Sequence, residues 1–243
     1  MANPANVVAR TARWLGMLVV GLAGVASAQE AQPSPIEQRG QLWWLATAQG
    51  KLGPTARAYF EIQPRFGLTP QFRADAALVR AALGAEVLPG LTLWQGVGWI
   101  PSWADASIES VTTGEGRLYQ QVQYVRALGP VGLVARLRLE ERFIQNLGGV
   151  LLRTRLMVRF TWRFVEVPAL QLAIHDELFV NLNQRTGSPP TGLDQNRAYV
   201  GLGWWVLPSV LLELGYQHQL VRRANPQPLR SGHTALLTTG FTF

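Results

Sequence analysis

The residues of this chain with the greatest capacity for chemistry are arginines and carboxylates set two apart. Arg153, Arg155, Arg159 and Arg163 occupy odd positions of one stretch, and Arg136, Arg138, Glu140 and Arg142 occupy even positions of the stretch before it. A spacing of two places side chains on one face of an extended strand. By the same parity His175, Glu177 and Asn181 share a face with Gln171, Arg197 shares one with Tyr199, and Glu213 shares one with Gln217. Guanidinium and carboxylate groups gathered in one interior can do two things. They can pair through charge-assisted hydrogen bonds and fill it, or arginines in excess can line a pore that favours anions. This polar set is the predicted functional cluster. Its minimum role is structural and its further role is anion passage.

A second chemistry is suggested by His175, which is flanked by Asp176 and Glu177. Nucleophilic hydrolysis of a lipid ester needs a serine within hydrogen-bond reach of such a base, and a third group to orient it. Ser102, Ser107, Ser110, Ser188, Ser209 and Ser231 all fall in predicted loops or turns, and none shares a strand beside His175. The expectation is therefore no enzyme, with a lipid-modifying hydrolase as the alternative. A third reading is a barrel that binds partners through its loops at 101–115, 184–194 and 223–231. His175, His218 and His233 lie on different predicted strands and there is no cysteine, so no metal site is expected. The chain has no phosphate-cradling or dinucleotide-binding glycine loop, and no cofactor is expected.

The elements that must carry these residues follow from composition and periodicity. Of 243 residues 48% are hydrophobic and 15% charged, where soluble domains average about 25% charged. Arg10 and Arg13 precede a short apolar run at 14–25, and Ala26-Ser27-Ala28 has the small-x-small form of a cleavage site. This reads as an export signal over 1–28, cut beside Ala28 and Gln29. The formal charge is +7, and it becomes +5 once the two signal arginines are gone, leaving 20 basic and 15 acidic residues. The arginines are interleaved singly with apolar residues rather than clustered, which argues against a nucleic-acid partner. Residues 29–39, rich in Pro, Gln and Glu, read as a flexible leader.

From residue 40 to 243 the chain alternates polar and apolar residues in segments of about ten or more, as strands of a membrane barrel do. No later run is long enough for a spanning helix, so only a closed barrel could cross a membrane. Eleven segments are predicted: 42–49, 55–65, 72–87, 90–100, 116–127, 131–146, 150–165, 168–183, 195–207, 210–222 and 232–243. Single-chain bacterial barrels have an even number of strands, so the expected fold is an all-β, transmembrane, antiparallel up-and-down barrel of 12 strands, with 10 as the alternative. Short connections alternate with long ones, and the long ones would lie outside. Asp176 and Glu141 interrupt the apolar face, and His218 also falls on it. The tryptophans lie in or near strand ends, where interfacial girdles or core packing would put them. The last strand ends in Phe241 and Phe243, resembling the insertion signal read by the outer-membrane barrel-assembly machinery. The expected location is the bacterial outer membrane, with its lipids as partners.

Glu140-Glu141-Arg142-Phe143, Asp176-Glu177-Leu178-Phe179-Val180-Asn181 and Asp194-Gln195-Asn196-Arg197, followed by Gly201-Leu-Gly203 and Glu213-Leu-Gly215-Tyr216, resemble the outer-membrane family catalogued as domain of unknown function 2490. The resemblance covers roughly residues 40–243. It implies a barrel and an envelope location, and it implies no activity.

Overall fold

A computed structural model describes residues 36–103, 113–223 and 229–243. The predicted signal segment with Ala26 and Ala28, and residues 29–35 of the leader, lie outside the described residues. Among the described residues all regular structure is strand: β1 (Glu37–Lys51), β2 (Ala56–Gly67), β3 (Arg73–Leu88), β4 (Leu91–Ser102), β5 (Thr113–Leu128), β6 (Val131–Ile144), β7 (Leu151–Arg163), β8 (Leu170–Asn181), β9 (Gly192–Leu207), β10 (Val210–Val221) and β11 (Arg230–Thr242). Each predicted segment overlaps one strand. β1 starts at Glu37, inside the stretch read as leader.

Every strand pairs with its sequence neighbours, and β1 closes on β11 to complete the barrel. The strand count among the described residues is therefore eleven, and both twelve and ten are corrected. The even-count expectation took every neighbouring pair to be antiparallel. Here the closing pair is parallel, in unbroken register from Glu37↔Arg230 to Gln49↔Thr242. A parallel ladder satisfies backbone N–H and C=O groups as an antiparallel one does, so no twelfth strand is needed. One consequence is topological. β1 begins at one rim, and the chain ends with Phe243 at the other.

The two rims differ. After β1, β3, β5, β7 and β9 the connections are two to six residues long, and at the opposite rim they are five to ten. At the short-turn rim Gly90 and Gly129 have φ of 80° and 62°, a conformation that glycine adopts without cost. A Cβ on Gly90 would also meet the Val125 carbonyl oxygen.

Alternation sorts the side chains into an interior and an outer wall. The wall is apolar: Leu83, Val97, Leu137, Leu156, Leu202 and Leu214 are among its exposed residues. Trp99, Trp103 and Phe143 stand outward toward the long-loop rim, and Trp162, Trp204, Phe241 and Phe243 toward the short-turn rim. Trp43 and Trp94 instead point inside and are buried, and Trp205 meets the interior Gln171. The interior holds small apolar clusters, Trp43–Ala173–Tyr199–Leu236 and Ala82–Trp94–Tyr119, set within a far larger polar filling.

Candidate functional site: a charge network filling the barrel

The centre of the interior network is built by four consecutive strands. β5, β6, β7 and β8 present Glu115 and Arg117, Arg136 to Arg142, Arg153 to Arg163, and Gln171 to Asn181, and the antiparallel register sets them face to face. Glu140 is its node, with a relative exposure of 0%. Its Oε2 accepts from Arg153 Nη2 at 2.7 Å and Nε at 3.1 Å, and its Oε1 accepts from Arg155 Nη1 at 2.6 Å. Arg138 and Arg117 stand behind at 3.6 and 3.7 Å. A buried carboxylate costs several kcal/mol to desolvate unless cations and donors surround it, and four guanidinium groups do so here.

From this node the pairs branch. Arg155 donates from Nε and Nη2 to Glu177 Oε1 at 3.1 and 2.8 Å, and Arg136 Nη2 reaches the same oxygen at 2.6 Å. Arg153 Nη1 donates to Asp194 at 3.2 Å, and Asn181 caps the other Asp194 oxygen at 3.1 Å. Arg142 and Arg117 both donate to Glu115. Arg138 donates to Gln121 Oε1 at 2.9 and 2.6 Å. Aromatic rings fill the gaps. Phe179, 1% exposed, lies beneath Arg153, Arg155 and Arg197, at 4.4 to 5.1 Å from their guanidinium carbons. Such cation–π contacts stabilise most where water is excluded.

Two smaller nodes continue the filling. Glu213 accepts from Arg159 Nη2 at 2.6 and 2.8 Å and from the Tyr199 hydroxyl at 2.8 Å. His175 stacks on Tyr199 with ring centroids 4.6 Å apart, and its Nδ1 lies 3.3 Å from Arg159 Nη1. Glu61 accepts from Arg80 at 3.1 Å and from Tyr59. Gln217 is buried, Gln195 meets Gln219 at 2.6 Å, and Arg163 covers Trp205 at 5.0 Å near the short-turn rim.

The chain matches the model of a family described as a protein of unknown function, DUF2490, over residues 40–230. The chain belongs to this family. No curated protein matches it. One of the stretches that carried the resemblance to DUF2490 falls at a structural junction. Asp194 and Gln195 sit where β9 shifts register against β8, between Phe179 and Val180, and this turns both side chains into the buried interior.

The predicted interior residues meet in this filling except Arg163, which is exposed at the short-turn rim over Trp205. Asp176 and Asn196 do not. They lie on the outer wall, where Asn196 Nδ2 donates to both Asp176 carboxylate oxygens at 2.9 and 3.0 Å. Asp176 lies away from the register shift, so a bulge does not explain it. Sequence reading missed Arg80 and the Glu115–Arg117 pair. Glu115 and Arg117 have the same spacing of two as the arginines of β7 and could have been found by it. It also missed Ser231, which lies in β11 rather than in a loop and within 3.0 Å of His218. Among the described residues no three His, Cys, Asp or Glu side chains are grouped as a metal would need.

Proposed function

We propose that this protein is an outer-membrane barrel whose interior is closed by its own charge network, an envelope component and not an open diffusion pore. The observation that carries this reading is Glu140. It is fully buried between Arg153 and Arg155, with Arg117 and Arg138 behind it, so side chains occupy the middle of the barrel. Barrels of this size have interiors that side chains can fill. Membrane location is supported by the apolar wall, by aromatic residues toward both rims, and by strands of 12 to 16 residues, which exceed the roughly 9–11 that a tilted spanning strand needs. The long connections then face outward and the short turns face the periplasm. An exported chain with a cleaved signal fits this path.

The test is single-channel recording of the folded protein in a planar bilayer. The closed reading expects no steady conductance. Steady anion-selective steps would overturn it and make the arginine faces a filter.

A further inference from the structure

Besides the Asp176–Asn196 pair, the outer wall carries a polar cluster that the interior network does not explain. β10 and β11 pair with His218 opposite His233 and Leu220 opposite Ser231, and β1 joins from the other side with Gln38 opposite Ser231. By alternation His218, Ser231, His233, Tyr216 and Gln38 all stand on the outer wall. Ser231 Oγ lies 3.0 Å from His218 Nε2 and 3.5 Å from His233 Nε2. His233 Nε2 lies 2.9 Å from Gln38 Oε1, and His233 Nδ1 lies 2.6 Å from the Tyr216 hydroxyl. One tautomer satisfies both contacts, with Nε2–H donating to the Gln38 amide oxygen and Nδ1 accepting from the Tyr216 hydroxyl. In that tautomer the His233 Nε2 that faces Ser231 at 3.5 Å carries a proton committed to Gln38 and offers the serine no lone pair. His218 Nε2 is left as the acceptor of the Ser231 hydroxyl proton.

We propose that Ser231 and His218 form a hydrolytic site on the outer wall that cleaves acyl esters of membrane lipids. The proposal rests on the membrane location argued above. Three observations support it. Ser231 is 7% exposed while its histidine neighbours reach the surface, so the nucleophile is held and its base is approachable. A hydroxyl with a histidine nitrogen at 3.0 Å is the nucleophile–base pair from which such hydrolysis starts. The cluster also sits at a boundary. Toward the long-loop rim stand Ser231, Gln38 and the Asp176–Asn196 pair, and toward the other rim the same wall continues as Leu214, Leu212, Leu237 and Phe241. In a bilayer that boundary is the depth of lipid ester linkages, below the headgroups and above the hydrocarbon.

The reaction balances with water as the co-reactant. Ser231 Oγ attacks the ester carbonyl carbon as its proton passes to His218 Nε2 and the carbonyl π electrons move onto the oxygen. The carbon–alkoxy bond breaks, and His218 returns the proton to the departing lysolipid hydroxyl. Water then attacks the acyl–serine carbon and gives a proton to His218. Ser231 Oγ leaves, takes that proton back, and the fatty acid is released.

The experiment uses the full chain folded into vesicles of phosphatidylethanolamine and phosphatidylglycerol. Flotation with the vesicles reports insertion, mass spectrometry reports free fatty acid, and a fluorophosphonate probe followed by peptide mapping reports the nucleophile. The expected result is fatty-acid release that falls at least about 100-fold in Ser231→Ala and in His218→Asn, the scale of a lost general base, with the probe adduct on Ser231 of the unaltered protein. Insertion without release, release unchanged in Ser231→Ala, or no adduct on Ser231 overturns the site. A protein that folds but does not float with the vesicles overturns the membrane location, and the lipid substrate with it.

Discussion

Replacing Glu140 by Gln tests whether the interior is held by compensated charge. The substitution keeps the side-chain volume, so no cavity forms, and it removes one buried negative charge. The consequence differs among the four arginines around it. Arg155 keeps Glu177, Arg153 keeps Asp194 and Arg117 keeps Glu115. Arg138 keeps no carboxylate, only its hydrogen bonds to the neutral Gln121 Oε1 and its contact over the Tyr119 ring at 4.2 Å, and its Nη1 has no hydrogen-bond partner even in the unaltered protein. Breaking a buried ion pair from one side costs about 3–5 kcal/mol. Because three arginines retain a carboxylate, the expected loss is about 3 kcal/mol, the lower end of that range. Arg138→Met alone should cost less than about 1 kcal/mol, because it removes a buried cation whose donors are incompletely used. The double variant should therefore be more stable than Glu140→Gln alone by about 1–2 kcal/mol, the coupling expected of neighbours in one network. The assay is equilibrium unfolding of the lipid-folded barrel in guanidinium chloride, followed by tryptophan fluorescence and by the heat-sensitive band shift on gels. A Glu140→Gln protein within about 1 kcal/mol of the parent would refute the argument, as would strictly additive single and double variants.

Three other predictions follow from the same geometry. Reversing charge with Arg155→Glu sets a carboxylate beside both Glu140 and Glu177. It should lower the temperature of the gel band shift more than Glu140→Gln does, and an unchanged temperature would count against the packing. Leu214→Arg puts a charge on the apolar outer wall and should cost about 2–4 kcal/mol in a bilayer, with a much smaller effect in detergent. Equal effects in both media would argue that this wall does not meet lipid. The chain has no cysteine, so Ile36→Cys and Val165→Cys can be labelled singly. An impermeant maleimide added to intact cells should reach position 36, at the long-loop rim where β1 begins, and miss position 165 in the β7–β8 turn; labelling of both or neither from outside would contradict the eleven-strand path.

Strand positions and faces were legible in the sequence because alternation is a local property. On β7 the arginines at 153, 155, 159 and 163 and the apolar residues at 152, 156, 158 and 160 sort without knowledge of any neighbour. The strand number was legible as well, since eleven segments can be counted, and it was the closing rule that misled. Whether β1 meets β11 in parallel depends on shear and register around the whole ring, and no single segment encodes that. The same limit applies to the site. Glu140 could be placed inside, but its partners could not be assigned, because they are set by the register of β6 against β7.

Ser231 shows how composition and register can disagree. The stretch Asn225-Pro-Gln-Pro-Leu-Arg-Ser-Gly232 reads as loop because of its prolines, glycine and asparagine, yet β11 starts at Arg230. Two residues of extra strand are enough to bring Ser231 onto the ladder opposite Leu220, diagonal to His218. The interior arginines are explained by one another, each offsetting the cost of burying the next. The outer-wall histidines have no such explanation. A histidine pair and a buried serine on a surface built mainly from leucine, valine and tryptophan give up apolar contact with lipid, and the interior network gains nothing from them. On that contrast the interior of this barrel is its scaffold, and chemistry is to be sought on the wall between β10, β11 and β1.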